Sequence, residues 1–298
     1  MKKKFLISGI IFLALGLALC AGALIYTGFD FSKFDTANYQ TAEHVVSESF
    51  NNIEITATET DVELKPSSDG ETKIVCVELE NVRHAVVVEN DALKITEQDD
   101  RAWYERFNIR QKSLSITVFL PFAAYNALSV ESGTGDFTAT AAFNFVELRV
   151  KTSTGNINIE NARAGKAELS VSTGDITLNS VVCDGEISAD VSTGNLNFTD
   201  VDCKNLVSDG STGNMNLKNV VAAESFNLKR STGDIRFESC DAGTITVETS
   251  TGDVQGTFCT EKIFAVKTST GKIIVPNTTF GGKCEISTST GDIIIGLA

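Results

Sequence analysis

The side chains able to do chemistry are few in this chain. Histidine occurs twice, as His44 and His84, both ahead of the most regular part of the sequence. Acid–base or nucleophilic catalysis needs a titratable group beside a nucleophile or a carboxylate partner. No Gly-X-Ser-X-Gly elbow, phosphate loop or nucleophile–histidine motif is present. The regularly spaced carboxylates Asp136, Asp175, Asp234, Asp253 and Asp292 alternate with Asn156, Asn195 and Asn214 at the same place. That exchange suits a turn, where either side chain can bond backbone, and would disable a catalytic carboxylate pair. The expectation is a non-enzyme without a cofactor. A polysaccharide-active enzyme, as some β-helices are, is the third choice.

Calcium is the metal an acidic ladder could hold. The Gly-Gly-X-Gly-X-Asp pattern is lacking, and asparagine or Lys272 interrupts the carboxylates, leaving Asp234 and Asp253 as the one candidate pair. Six cysteines follow Cys20. Cys183 and Cys203 share one repeat phase and Cys240 and Cys259 another, and they read as buried reduced thiols acting as small hydrophobes. The threonine before each repeat glycine reads as a hydroxyl ladder closing the turn, in preference to an ice-binding array.

The elements that position these groups follow from a repeat. Ser-Thr-Gly-Asp/Asn or a close variant recurs with its glycine at Gly135, Gly155, Gly174, Gly194, Gly213, Gly233, Gly252, Gly271 and Gly291, at intervals of 19 or 20 residues. Two residues after the glycine stand Phe137, Ile157, Ile176, Leu196, Met215, Ile235, Val254, Ile273 and Ile293, with mostly apolar residues again two further on. Apolar positions two apart are strands with one buried face. A repeat this short cannot bury that face alone, so coils must stack. The expected fold is all-β, a single-stranded parallel β-helix (β-solenoid) of 19–20 residues per coil. Nine coils at about 4.8 Å give a rod of roughly 43 Å.

Lys2, Lys3 and Lys4 precede 22 uncharged, largely apolar residues, Phe5 to Tyr26. At about 1.5 Å each these cross a hydrocarbon core of roughly 30 Å. This reads as a single-pass membrane helix with a cytoplasmic N-terminus, in preference to a cleaved signal; Leu19 before Cys20 does not suit a lipobox. The organisation expected is residues 1–27 lysines and helix, 28–44 polar stalk, 45–127 irregular first coils with a capping insert at 101–111, and 128–298 regular repeats. Trp103, Tyr104 and Phe107 in that insert could also form an aromatic partner surface. The outward position three after the glycine becomes Ile274 and Ile294 in the last two repeats, and the chain stops at Gly296-Leu297-Ala298. An exposed apolar edge there would pair with a second copy or an envelope protein.

Beyond the helix the chain carries 22 basic against 39 acidic residues. That net −17 excludes nucleic acid, whose binding needs a positive footprint. The opening Phe50-Asn51-Asn52-Ile53-Glu54-Ile55, the pair Leu120-Pro121 and the repeated Ser-Thr-Gly-Asp resemble the bacterial putative-adhesin family of unknown function, including the LiaG-like envelope proteins. The resemblance runs from Phe50 to the C-terminus. It implies a Gram-positive-type envelope protein, often membrane-anchored, and supplies no catalytic motif. With no wall-sorting signal after Ile295, anchoring is expected from the N-terminus. The expected role is structural or adhesive, toward an envelope protein or a cell-surface polymer; the rival is an accessory of an envelope stress response.

Overall fold

The computed structural model describes residues 2–29, 37–103 and 113–298. It opens with helix α1, Lys2–Thr27. Residues Ile7–Tyr26 have mean hydropathy 2.4 and none of that window is buried in the protein, so this helix is long and apolar enough to cross a membrane. Its only glycines, Gly9, Gly16 and Gly22, meet nothing within 4 Å.

From Tyr39 onward the described residues form strands and their connections. The first seven strands are β1 (Tyr39–Val46), β2 (Asn52–Ala57), β3 (Thr60–Pro66), β4 (Thr72–Leu79), β5 (Val82–Glu89), β6 (Ala92–Asp99) and β7 (Leu114–Leu120). Because β1 starts at Tyr39, the segment between helix and sheet is shorter than 28–44. Then come β8 (Ala124–Thr134), β9 (Phe137–Ala139), β10 (Asn144–Thr154), β11 (Ile157–Glu160), β12 (Arg163–Thr173), β13 (Ile176–Cys183) and β14 (Glu186–Thr193). Three long strands bend through whole coils: β15 (Leu196–Thr212), β16 (Met215–Thr232) and β17 (Ile235–Thr251). The last five are β18 (Val254–Phe258), β19 (Lys262–Thr270), β20 (Ile273–Ile274), β21 (Gly282–Thr290) and β22 (Ile293–Leu297).

Neighbouring coils pair in parallel and in register, Ile157 on Ile176, Ile176 on Leu196, Leu196 on Met215 and Met215 on Ile235. Each of these five side chains is fully buried, worth about 1.5–3 kcal/mol apiece. The second bend falls six residues after the glycine, where Asn161, Ser180, Asp200, Asn219 and Ser239 all take left-handed φ between 51° and 57°. Asn, Asp and Ser tolerate that region better than bulkier residues. The solenoid expected from the repeat is thus the fold observed.

The coils do not stack in chain order at either end. The coil β2–β3 lies between β6–β7 below and β8–β9 above. At the N-terminal end β5 covers β6, β4 covers β7 and β1 covers β4, all antiparallel. At the other end β21 and β22 insert between the preceding coil, β17–β18, and β19–β20. The outermost coil is therefore β19–β20, and the free edge expected at the last strand belongs to it instead.

Candidate functional site

The turn glycines must be glycine for two reasons. Their φ lies between 130° and 154°, a region L-residues avoid, and a Cβ would sit about 2 Å from a carbonyl of the adjacent coil, as at Gly213 over Gly194 O at 1.9 Å.

The residue after each glycine forms a second ladder. Its side-chain oxygen accepts the backbone N–H of its counterpart one coil on: Asp61 from Asp136, Asp136 from Asn156, Asn156 from Asp175, Asp175 from Asn195, and onward to Asp234, at 2.6–3.0 Å. Asp234 Oδ1 accepts Asp253 N at 3.0 Å, and Asp253 Oδ1 accepts Asp292 N at 2.8 Å. Only one acceptor atom is needed, which explains the free exchange of Asp and Asn. Asp234 and Asp253 are indeed stacked, but Asp292 continues the run, so they are not a solitary pair. Their second oxygens also accept hydrogen bonds, Asp234 from Arg236 at 2.7 Å and Asp253 from Gln255 at 3.0 Å. Among the described residues no three His, Cys, Asp or Glu converge as a metal site.

The threonines before the glycines do not close the turn. Thr154, Thr173, Thr193, Thr212, Thr232 and Thr251 stand in register, all exposed. The hydroxyls that bond the turn carbonyls lie two residues earlier: Thr152 donates to Gly135 O at 3.3 Å, Thr268 to Gly291 O at 3.0 Å and Thr288 to Gly252 O at 3.2 Å. Alternation from Leu148 and Val150 carries Thr152 inward, and it breaks off at the turn, leaving Thr154 exposed.

A nucleophile–histidine contact, which no sequence motif announced, does form. His84 Nδ1 lies 3.1 Å from Glu78 Oε2 and its Nε2 lies 3.4 Å from Thr60 Oγ1. Thr60 is wholly buried, and its hydroxyl donates to Glu97 Oε2 at 2.7 Å. With its hydrogen committed to Glu97 and no exposure to substrate, the hydroxyl is not placed to attack anything. Glu97 Oε2 also accepts the N–H groups of Thr58 and Glu59, while Arg101 pairs with Glu59 and Asp99. The group ties β4, β5 and β6 to the first turn and acts as end-cap chemistry. His44, on β1 opposite Ile74, lies outside it.

Two surfaces remain. A groove of about 770 Å³ runs across several coils, lined by Asn216, Lys218, Arg236, Glu238, Gln255 and Ile294 among others. Asn216 donates to Asn197 at 2.8 Å, and Lys218 pairs with Glu238 at 2.6 Å. The groove ends at Ile294–Gly296 of β22, one coil short of the outermost, where Ile294 pairs in register with Ile274 of β20. Ile274 is 57 % exposed and Ile294 36 %, beside exposed Ile263, Ile273 and Phe280. Trp103 is exposed too; Tyr104, Phe107 and most of the insert lie outside the described residues. The cysteines are free thiols. Cys240 is buried and aligns with Phe258, leaving Cys259 exposed, so their shared repeat phase does not survive a local register shift.

Fold and ladder together define a β-solenoid whose repeated polar groups bond to neighbouring coils. The chain belongs to the Toastrack DUF4097 family, whose model matches residues 50–184 and 181–298. It is similar in structure to a putative adhesin from Parabacteroides merdae, with TM-score 0.54 and 12 % identity over 88 % of this chain and 97 % of that one. A putative adhesin from Bacteroides fragilis aligns with TM-score 0.49 and 15 % identity over 87 % and 97 %. No curated protein matches.

Proposed function

We propose that the protein is a membrane-tethered, extracytoplasmic rod with an adhesive or structural role and no catalytic one. The carrying observation is where the repeated polar chemistry goes: the turn carboxylates and amides bond backbone from coil to coil. What is left for other molecules is surface, namely the groove and the apolar outermost coil. The apolar helix at the opposite end of the chain supplies the tether, with Lys2, Lys3 and Lys4 on the cytoplasmic side by the positive-inside rule. That the structural neighbour from Parabacteroides merdae is a putative adhesin supports the reading.

The test displays the full chain on cells and measures retention of purified wall polymer and of neighbouring cells. Wild type should retain one of them, and Arg236→Glu with Ile274→Asp should lose it. Recovery of a sensor kinase or permease in its place, lost with Ile274→Asp and Ile294→Asp, would turn the reading to an envelope-stress accessory. Turnover of an acidic glycan would overturn the non-catalytic part.

A further inference from the structure

Lys262 is the one buried lysine among the described residues. Its side chain is 3 % exposed, against 33 % to 62 % for the lysines of the other ion pairs described. Nζ lies 2.5 Å from Asp241 Oδ1 and 2.5 Å from the hydroxyl of Thr260. That hydroxyl donates to the same Asp241 oxygen at 3.0 Å, so it links amine to carboxylate directly. The Asp241 side chain is itself 16 % exposed. The two residues do not belong to adjacent coils. Asp241 is in β17 and Lys262 opens β19, with β21 between them. The residue of β21 paired with Lys262 is Gly282, which has no side chain to obstruct the crossing.

A buried ion pair carries a desolvation penalty that a neutral amide in the same place escapes. Groups held this close react with effective concentrations of about 10⁵–10⁸ M where the approach is productive. We propose that Lys262 and Asp241 condense into an intramolecular isopeptide bond, a covalent strap over the inserted coil β21–β22. One proton first passes from the Nζ ammonium to the carboxylate, leaving a neutral amine and a carboxylic acid. Nζ then attacks Cγ. A second Nζ proton travels through the Thr260 hydroxyl to the departing oxygen, the C–O bond breaks and water leaves. The N–C amide bond formed replaces one C–O bond, and nothing is oxidised or reduced.

Intact mass spectrometry of the full chain, extracted from membranes in detergent, tests the proposal. Wild type should be lighter than its composition requires by one water, about 18 Da, relative to Lys262→Arg prepared alike. Tandem spectra should contain a branched peptide joining residues 241 and 262. Thr260→Val should acquire the bond more slowly after synthesis while keeping the wild-type circular dichroism. A wild-type chain at full mass overturns the proposal whatever the variants do. A deficit of one water that persists in Lys262→Arg also overturns it, by placing the loss elsewhere.

Discussion

Asp253 accepts the backbone N–H of Asp292, 39 residues away, at 2.8 Å. The next repeat in the chain offers Lys272 at this place, and Lys272 sits instead beyond Asp292, donating its N–H to Asp292 Oδ1 at 2.8 Å. A lysine has no acceptor to pass the ladder on, so the outermost position is the one where its coil leaves no ladder N–H without a partner. The departure from chain order at this end thus has a local chemical reason.

Asp253→Ala should leave the Asp292 N–H without its acceptor and lower stability by about 1 kcal/mol. Asp253→Asn should cost much less, because Oδ1 remains. Lys272→Asp, with no further coil to serve, should lie within about 0.5 kcal/mol of wild type. Urea denaturation of the three variants checks the order, and equal losses for Ala and Asn would contradict the ladder.

Gly213→Ala meets both obstacles of the turn, φ of 130° and a carbonyl 1.9 Å from the new Cβ. It should destabilise by at least about 2 kcal/mol. Gly70, with φ of 81° but nothing within 4 Å of a Cβ, keeps only the conformational penalty, about 1–2 kcal/mol. Thermal unfolding of both variants separates steric overlap from backbone preference.

Arg230 is 3 % exposed, and none of its three guanidinium nitrogens has a hydrogen-bond partner among the described residues. Burial lowers its pKa, opposed by the charges of Asp209 and Asp190. The guanidinium occupies the space a side chain at Gly210 would fill, 1.4 Å from an ideal Cβ. Arg230→Val should therefore stabilise, by about 1–3 kcal/mol, since it removes a buried cation without an acceptor. Gly210→Ala should destabilise wild type, and by less in the Arg230→Val background, where only the overlap with the Val191 carbonyl, 2.5 Å from the Cβ, remains. A double-mutant cycle without coupling would refute the contact.

Burial raises four thiols from an ordinary value of 9.0: Cys76, Cys203 and Cys284 to about 12, and Cys240 to about 11. Between pH 9 and these values the unfolded chain has released protons that the folded chain retains. Stability must then fall as pH rises through that window. Denaturation midpoints at pH 8 and pH 10.5 should show the loss, and Cys203→Ala should reduce it. Iodoacetamide should label exposed Cys259 well before these four.

Much of this molecule was legible in its residues. Ile157, Ile176 and Leu196 announce a buried strand face by their interval, because only stacking can cover so narrow an apolar stripe. The interchange of Asp175 and Asn195 already signals a conformational role. The buried contact of His84 with Thr60 was invisible, since it depends on strands that turn antiparallel around the first coil and so bring residues 24 apart into contact.

The sequence by itself determined the period, the inward and outward faces, the glycine turns and the membrane-length helix. All of these follow from local sterics and from the alternation of a strand. The tertiary structure alone decided the order of the coils. Repeats alike in length and turn can stack on one another in any order as far as their backbones are concerned. The choice rests on side chains at the ends, where Lys272 cannot continue the ladder and Gly282 leaves Lys262 a path to Asp241.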